Sequence, residues 1–298
     1  MTLKNKKRKL LSVIIGALCL IFSALVYLGG ELPDISLSSD DASIDKNADF
    51  VKILDVGQGD CALIYSNGRT ALIDTGTIDS SNDVCIKLSN LGIKSIDVMM
   101  LSHLHSDHTG GVERIVDAFE VKNLILPELS TYSEGMAAAQ YAINAVTSSK
   151  GGVFTAVQGM NFSVGEFDIT VLAAYDDDEE NNRSIFAMAE LDGRKFLFTG
   201  DAETKVEKLL LKEGLNIKCD VLKVGHHGST TSSSNGLLKA TEPDYAVISS
   251  GLGNSYGHPH KEILSALKTR NINILRTDQK GDITFYIKNE RIEVQTEN

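Results

Sequence analysis

The chain of 298 residues is poor in cysteine, with four in all and no C-x-x-C pair. A disulfide framework of the small secreted kind is thereby excluded. Proline is limited to four and glycine to 25, while 42% of residues are apolar and 23% charged. That balance excludes a collagen-like fibre and disorder throughout, and leaves room for one large domain or two small ones. Only one long run is free of charge, residues 10–28. Basic residues are also scarce beyond the amino terminus. Lys4, Lys6, Lys7, Arg8 and Lys9 precede any acid, so the remainder holds 24 bases against 40 acids, a net charge of −16. Histidine is missing from residues 109–200.

The uncharged run, LLSVIIGALCLIFSALVYL, is close to the roughly 20 residues of a bilayer-spanning helix. With bases before it and none soon after, residues 1–9 are expected in the cytoplasm and the chain beyond Gly29 outside, as a single-pass membrane protein. Secretion after signal cleavage is the alternative. A lipidation signal would need a small residue before Cys19, and Leu18 stands there. Residues 29–49 are rich in Ser and Asp, which suits a flexible acidic tether. One domain, residues 50–298, is left to carry the function, and Cys61, Cys85 and Cys219 read as buried free thiols.

That domain begins as short apolar runs, FVKILDVG and CALIYSNGRTALIDTG, with Asn67-Gly68 as a hairpin signal. Val84, Ile86, Leu88 and Leu91 before Gly92 predict a short helix over 82–92, followed by the strand IDVMMLS. A helix is predicted over 133–148, then strands at FTAVQ, FSVGEFDITVLAA, SIFAMAEL and KFLFTG. Strands at DVLKVG, YAVISSG and INILRT alternate with helices over 204–213 and 261–270, and ITFYIKNERIEV predicts a closing hairpin. Clustered strands followed by alternating strands and helices predict an α/β sandwich of mixed sheets covered by helices.

All seven histidines fall in three windows: His103, His105 and His108; His226 and His227; His258 and His260. Each window follows an apolar strand, which sets these imidazoles apart from scattered core or surface histidines. In LSHLHSDHTGG, His103, His105, Asp107 and His108 offer nitrogen and oxygen ligands that zinc, manganese or iron accepts. His103 and His105 can serve one ion while Asp107 and His108 serve another. Asp201 follows the strand KFLFTG and is a candidate bridging anion between two cations. Asp74, after TALI, is either a turn residue or an acceptor that orients a ligand histidine. One of His226 and His227 is expected on metal and the other towards substrate. Pro259 restricts His258 towards extended geometry at a helix start, where His260 could meet a phosphate. These clusters all sit at carboxyl ends of strands, where open α/β sheets place their ligands.

The segment His103-Leu-His105-Ser-Asp107-His108 resembles the H-x-H-x-D-H signature of the metallo-β-lactamase superfamily, and Asp74, Asp201 and His226/His227 match its other motif positions in order. Within it, LDVGQGDCALI, NNRSIFAMAEL, FLFTGDAE, VLKVGHHGS, NSYGHPH and LRTDQKGDITF resemble the hydrolase domain of ComEC-type DNA-uptake proteins. The resemblance, which covers roughly residues 50–290, implies a four-layer αββα sandwich with a two-metal site at one edge of the sheets. It assigns His103 and His105 to the first ion, Asp107, His108 and His226 or His227 to the second, and Asp201 to both. Many superfamily members supply a third histidine to the first ion between the first window and the bridging Asp. Here Asn182 or Ser184 falls in that region, and water could complete the ion.

The expected cofactors are two divalent ions, zinc first and manganese as the alternative. The expected reaction is metal-assisted hydrolysis, with His258, His260 or the non-ligating member of His226/His227 free to protonate a leaving group or to hold a phosphate oxygen. A phosphodiester is the expected substrate, and the resemblance favours DNA or RNA, although the −16 remainder lacks an excess of Lys and Arg. A cell-surface polymer or small phosphodiester tolerates an acidic body, a β-lactam fits the location but not the motifs, and a metal-free scaffold is the non-enzymatic alternative. With a single span the chain is not expected to form a channel. Nothing points to an obligate protein partner. Gly57, Gly59 and Asp60 in DVGQGD predict a tight turn beside the site, with Asp60 as a possible support to a ligand. Asp176 to Glu180 reads as a solvated acidic loop, or a calcium site, and Lys223 as a residue packed at a strand end or facing substrate.

Overall fold

The computed structural model describes residues 48–298. The expectations for residues 1–9, for the apolar run 10–28 and for all but the end of the tether 29–49 lie outside the described residues. Among those described, no helix is long and apolar enough to cross a membrane.

The alternating apolar runs become antiparallel strands, β1 (Asp49–Ile53), β2 (Ala62–Ser66) and β3 (Arg69–Ile73). Neighbouring side chains point to opposite faces, so Leu63 and Leu72 join one core while Ile64 and Ile73 join another. Asn67 and Gly68 take φ of 48° and 74°, the left-handed pair a two-residue hairpin needs. Next comes α1 (Ser81–Asn90), ended by Gly92 at φ 76°. Val84 and Leu88 are buried, but Ile86 is 55% exposed. Two residues from Val84, it lies about 200° round the helix.

A parallel series follows: β4 (Ser95–Ile96), β5 (Val98–Met100), the one-turn α2 (Ser106–Thr109), α3 (Val112–Ala118), β6 (Glu120–Val121), β7 (Asn123–Leu126), α4 (Met136–Ser148) and β8 (Gly152–Thr155). The strand expected at FTAVQ keeps only its first two residues. The run FSVGEFDITVLAA splits at Gly165, φ 60°, into β9 (Asn161–Val164) and β10 (Phe167–Ala173). The second half comprises β11 (Phe186–Leu191), β12 (Arg194–Phe198), α5 (Thr204–Lys212), β13 (Val221–Lys223), α6 (Asn235–Thr241), β14 (Tyr245–Ile248), α7 (Lys261–Thr269), β15 (Asn273–Arg276), the short α8 (Thr277–Lys280) and the hairpin β16 (Ile283–Lys288) and β17 (Arg291–Thr296). The short α3 and α6 have too few turns to show periodicity. α6 is instead started by Ser234, whose side chain accepts the Leu237 N–H at 3.2 Å.

An eight-stranded sheet in the order β17-β16-β1-β2-β3-β5-β7-β8 faces a seven-stranded sheet in the order β15-β14-β13-β12-β11-β10-β9. Val51, Ile64, Ile73 and Phe285 of the first meet Phe167, Phe196, Phe198 and Val247 of the second in the inner core. Helices α1, α3 and α4 cover the outer face of the first sheet through Val84, Ile115 and Val146. α5, α6 and α7 cover the second through Val206, Leu238 and Leu267. This is the αββα sandwich. The parallel strands β3 and β5 of one sheet and β12, β13 and β14 of the other end at the same edge of the molecule, where their loops meet.

Phe196 joins the sheets directly, edge-to-face with Phe167 at 6.3 Å and with Phe285 at 5.9 Å. Phe196→Ala is expected to lower the unfolding free energy by about 3–5 kcal/mol in urea titrations followed by circular dichroism. A loss under about 1 kcal/mol would mean that the inner core closes around the cavity.

Candidate metal centre

The chain leaves β5 and turns sharply, which brings His103 and His108 to full burial and His105 and Asp107 to half-burial. Three supports fix this loop. Asp74, held at φ 59° directly after β3, accepts the Ser102 N–H and O–H at 2.7 Å each, and its Oδ2 lies 2.8 Å from His108 Nδ1. Glu180 accepts the Leu104 N–H at 2.8 Å and the Ser133 hydroxyl. The Asp60 N–H donates to the Asp107 carbonyl at 3.1 Å, and Gly59 lies so close to that carbonyl that a Cβ would overlap it. The acidic run 176–180 is thus partly structural. Asp176 pairs with Arg183 at 2.8 Å, Asp177 with Lys205, and Glu180 braces the histidine loop.

Asp201 follows β12 through Gly200, whose φ of 50° and whose approach to Ser184 (a Cβ would meet Oγ at 2.8 Å) leave no room for a side chain. Ser184 Oγ accepts the Asp201 N–H at 3.0 Å and Asn182 Oδ1 accepts the Glu203 N–H at 3.2 Å. These two buried residues hold the backbone on either side of Asp201.

After β13, His226 and His227 both adopt left-handed backbone, at φ 51°, ψ 46° and φ 53°, ψ 22°. Such positions cost about 1–3 kcal/mol each and persist only where surrounding structure dictates them. Here the His226 N–H donates to the Gly200 carbonyl at 3.2 Å, the Ser229 N–H donates to the His226 carbonyl at 2.8 Å, and buried Glu207 accepts the Ser233 and Ser234 N–H groups. The turn splays the two rings. His227 is buried with Nε2 3.1 Å from Asp107 Oδ2 and 3.5 Å from Asp201 Oδ2, whereas half-buried His226 brings its Nε2 to 3.8 Å from the same Asp201 oxygen.

The loops therefore converge on Asp201. His108 Nε2 lies 3.3 Å from Oδ1, and His103 Nε2 lies 4.0 Å from Oδ2 and 3.1 Å from His105 Nδ1. Ligand atoms of Asp107, His108, Asp201 and His227 all lie within 4.8 Å of one another. His108 Nε2 and Asp201 Oδ1 are buried and face each other without hydrogen-bond geometry. Polar atoms left so are costly unless a further group joins them. Outward ring nitrogens are already occupied: His108 by Asp74, His227 by the Ser249 carbonyl at 3.1 Å, His226 by Thr231 Oγ1 at 3.0 Å, and His103 by Ser102 Oγ at 3.1 Å. Such partners fix the tautomer that points Nε2 inward as a lone pair. Imidazoles and carboxylates in this arrangement fit divalent zinc, manganese or iron.

Burial pushes His103 well below the ordinary imidazole range, reinforced by His108. Burial acts the same way on His108 and His227, but the Asp201 carboxylate, with Asp74 at one ring and Asp107 at the other, outweighs it and holds both well above that range. Burial would raise Asp201, yet His227 and His108 keep it well below the usual carboxylate range. A cation entering here replaces protons on those rings.

Lys223 is only 5% exposed and its ammonium lies 2.7 Å from Asp60 Oδ2, so it does not face substrate. Asp60 in turn stands 3.4 Å from His227 Nδ1. His258 lies beside the centre, its ring 5.6 Å from His226 and 6.3 Å from His227. Burial first, and then His227, His226 and His260, push it down to about 4. That makes it neutral at pH 7, an acceptor and a poor proton donor. His260 is not among the residues lining the groove, and its Nδ1 accepts the Thr230 N–H at 3.0 Å. It does not cap α7 with its side chain. The centre opens into a groove of about 1250 Å³ whose wall carries Glu113, Asp117 and Glu134 against Arg114, with Tyr256 at its rim. In the sequence Gln58, Asn254 and Tyr256 stand only within longer motifs and Glu180 only as the end of an acidic run, and none carries a role there; the proximity of Tyr256 to the third histidine window is the signal that could have drawn notice.

The profile described as the metallo-beta-lactamase superfamily matches residues 54–251. Among curated proteins, ComE operon protein 3 of Bacillus subtilis (strain 168) is 34% identical over 80% of this chain and 33% of its own length. Competence protein ComA of Neisseria gonorrhoeae is 31% identical over 82% of this chain and 33% of its own. The chain thus spans about one third of the length of these relatives. Two solved structures share the fold: Igni18, a metallo hydrolase from Ignicoccus hospitalis, with a TM-score of 0.53 at 15% identity over 80% of this chain and 100% of that one, and the YhfI protein of Bacillus subtilis, with 0.52 at 13% over 76% and 96%.

Two outcomes are expected. Asp74→Asn, which loosens the His108 tautomer, should weaken zinc affinity about 10- to 100-fold against a competing chelator. Lys223→Met, which strands the Asp60 carboxylate, should cost about 3–5 kcal/mol of stability, most of it regained when Asp60→Asn is added; no recovery in the double variant would show that the lysine acts by packing.

Proposed function

The chain belongs to the metallo-β-lactamase superfamily, and from that premise we propose that it is a metal-dependent phosphodiesterase related in its chemistry to the hydrolase part of competence proteins. The observation that carries this reading is the convergence of His103, His108, His226 and His227 on one buried carboxylate, Asp201, with His105 beside His103 and with His108 Nε2 and Asp201 Oδ1 left without hydrogen-bond geometry. In this reading Asp107, His108 and His227 would hold one divalent ion and His103 and His105 another, and Asp201, which both groups face, would serve as a shared carboxylate. His226 takes the place of the histidine absent from residues 109–200, since its Nε2 approaches the same Asp201 oxygen as His103 does.

When bound, the ions would supply positive charge that acidifies water and stabilises charge developing on a phosphoryl group. The chain's own part is positioning. Asp74, Thr231 and the Ser249 carbonyl set the ring tautomers, and Ser184 and Asn182 hold the Asp201 backbone. Neutral His258, 3.5 Å from the Gln58 amide, can accept a hydrogen bond from a group at the mouth of the centre. Residues 10–28 anchor the chain in this reading, and the domain works on the outer side of the membrane. A metal-free scaffold is disfavoured because it would keep His108 Nε2 and Asp201 Oδ1 buried, 3.3 Å apart, without hydrogen-bond geometry. The acidic groove wall favours a short phosphodiester or a chain end over a long duplex tracked by its backbone.

The test uses the full chain in detergent, stripped by chelator and resupplied with zinc or manganese, with bis(p-nitrophenyl) phosphate as substrate. Turnover should require metal and be lost in His105→Ala and Asp201→Ala. Elemental analysis should find two ions per chain, falling to one in His226→Ala. Activity that survives Asp201→Ala, or a chain that purifies and refolds without any metal, would overturn the assignment.

A further inference from the structure

Beside the candidate centre, one large aromatic ring is left out in solvent. Tyr256 is 66% exposed at the rim of the groove that holds His105, Asp107, His226 and His258. Its ring is nearly parallel to that of His258, 21° apart in plane and 5.6 Å between centroids. His258 is in turn nearly parallel to His227, at 27° and 6.3 Å. Three flat rings thus step outward from the centre, and the outermost is exposed.

The loop that carries Tyr256 is braced. Asn254 donates its side-chain amide to the carbonyls of Gly251 at 2.9 Å and His258 at 2.6 Å, and accepts the N–H groups of Tyr256 at 3.2 Å and His258 at 3.0 Å. All four bonding positions of that amide are used within the loop. Gln58 ties the loop to the DVGQGD turn by accepting the Gly251 N–H at 3.1 Å. A ring already held outward on a braced loop can meet a flat partner with little further ordering cost.

We propose that Tyr256 is the stacking platform for an unpaired nucleobase attached to the phosphodiester held at the centre. The proposal rests on the phosphodiesterase reading and narrows its substrate to a nucleotide at a strand end or in a single strand. Stacking on a tyrosine face recognises any base through its π-face, and being a contact of one base it can act at the rim of a groove whose wall is acidic. A quaternary ammonium headgroup would also meet an aromatic face, but such cations are held in cages of several rings, whereas the rings here lie parallel. A base inside a duplex cannot present its face to Tyr256 without leaving the stack.

The experiment compares full chains supplied with zinc on three esters: thymidine 5′-(p-nitrophenyl phosphate), methyl p-nitrophenyl phosphate and p-nitrophenyl phosphorylcholine. Tyr256→Ala should lower the preference for the thymidine ester over the methyl ester by about 5- to 150-fold, the range one base–aromatic stack supplies, and the loss should lie in KM while Tyr256→Phe keeps the preference. An unchanged preference overturns the platform, and a preference for the choline ester that disappears in Tyr256→Ala replaces it with a cationic headgroup site. Calorimetric binding of thymidine 5′-phosphate against deoxyribose 5-phosphate is read in parallel. If no ester is hydrolysed, the phosphodiesterase reading fails; base-dependent binding lost in Tyr256→Ala then still supports the platform, and its absence overturns it.

Discussion

One carboxylate organises this edge of the molecule. Asp201 is 2% exposed at the end of a strand of the second sheet, yet half of the imidazoles that face it arrive on a loop of the first. A buried carboxylate is tolerated only when countercharge surrounds it. The chain supplies that countercharge through His103 and His108 from one sheet and His226 and His227 from the other. The two sheets are therefore joined twice, by the inner apolar core and by electrostatic demand at one edge.

Meeting that demand strains the backbone. Asp74, His226 and His227 all occupy left-handed conformations that side chains with a Cβ seldom adopt. Each is over-determined. Asp74 is fixed by Ser102 and His108, and the His226–His227 turn by bonds to Gly200, Ser229 and Ser233 and by Glu207 beneath it. Strand ends give these turns a rigid base, which is why loops can hold four ring nitrogens 3.3 to 4.0 Å from the Asp201 oxygens.

The same edge joins a positively demanding centre to an acidic wall of Glu113, Asp117 and Glu134. In the proposed reading, long-range attraction would do little to gather a polyanion, and recognition would fall to short-range contacts. A divalent ion held at the centre and a flat ring at the rim would, in that reading, be contacts of that kind, because each acts only at close range. The neutral imidazole of His258 touches both sides of this arrangement, since its ring is nearly parallel to those of His227 and Tyr256.

Much of this was legible in the residues alone. Alternation with period two marked β1 to β3, Asn67-Gly68 marked their hairpin turn, ITFYIKNERIEV marked the closing hairpin, and histidines clustered after strands pointed to Asp201 and its neighbours. The clustering was informative because ligands of one ion must lie at one place, and a strand end delivers several from one short loop. Other features could not be read. Ile86 shares the helical run of Val84 but faces solvent, since burial depends on what a helix packs against. The partition of His226 from His227 depends on two φ angles, the roles of Asn182 and Ser184 on which N–H groups lie beside them, and that of Lys223 on Asp60, 163 residues away, reaching it. Sequence determined the local periods, the turn chemistry and the inventory of ligand atoms, because these depend on residues close together in the chain. Only the tertiary structure decided which atoms share a cavity, because that is set by how two sheets pack, and contacts across their interface have no fixed spacing in sequence.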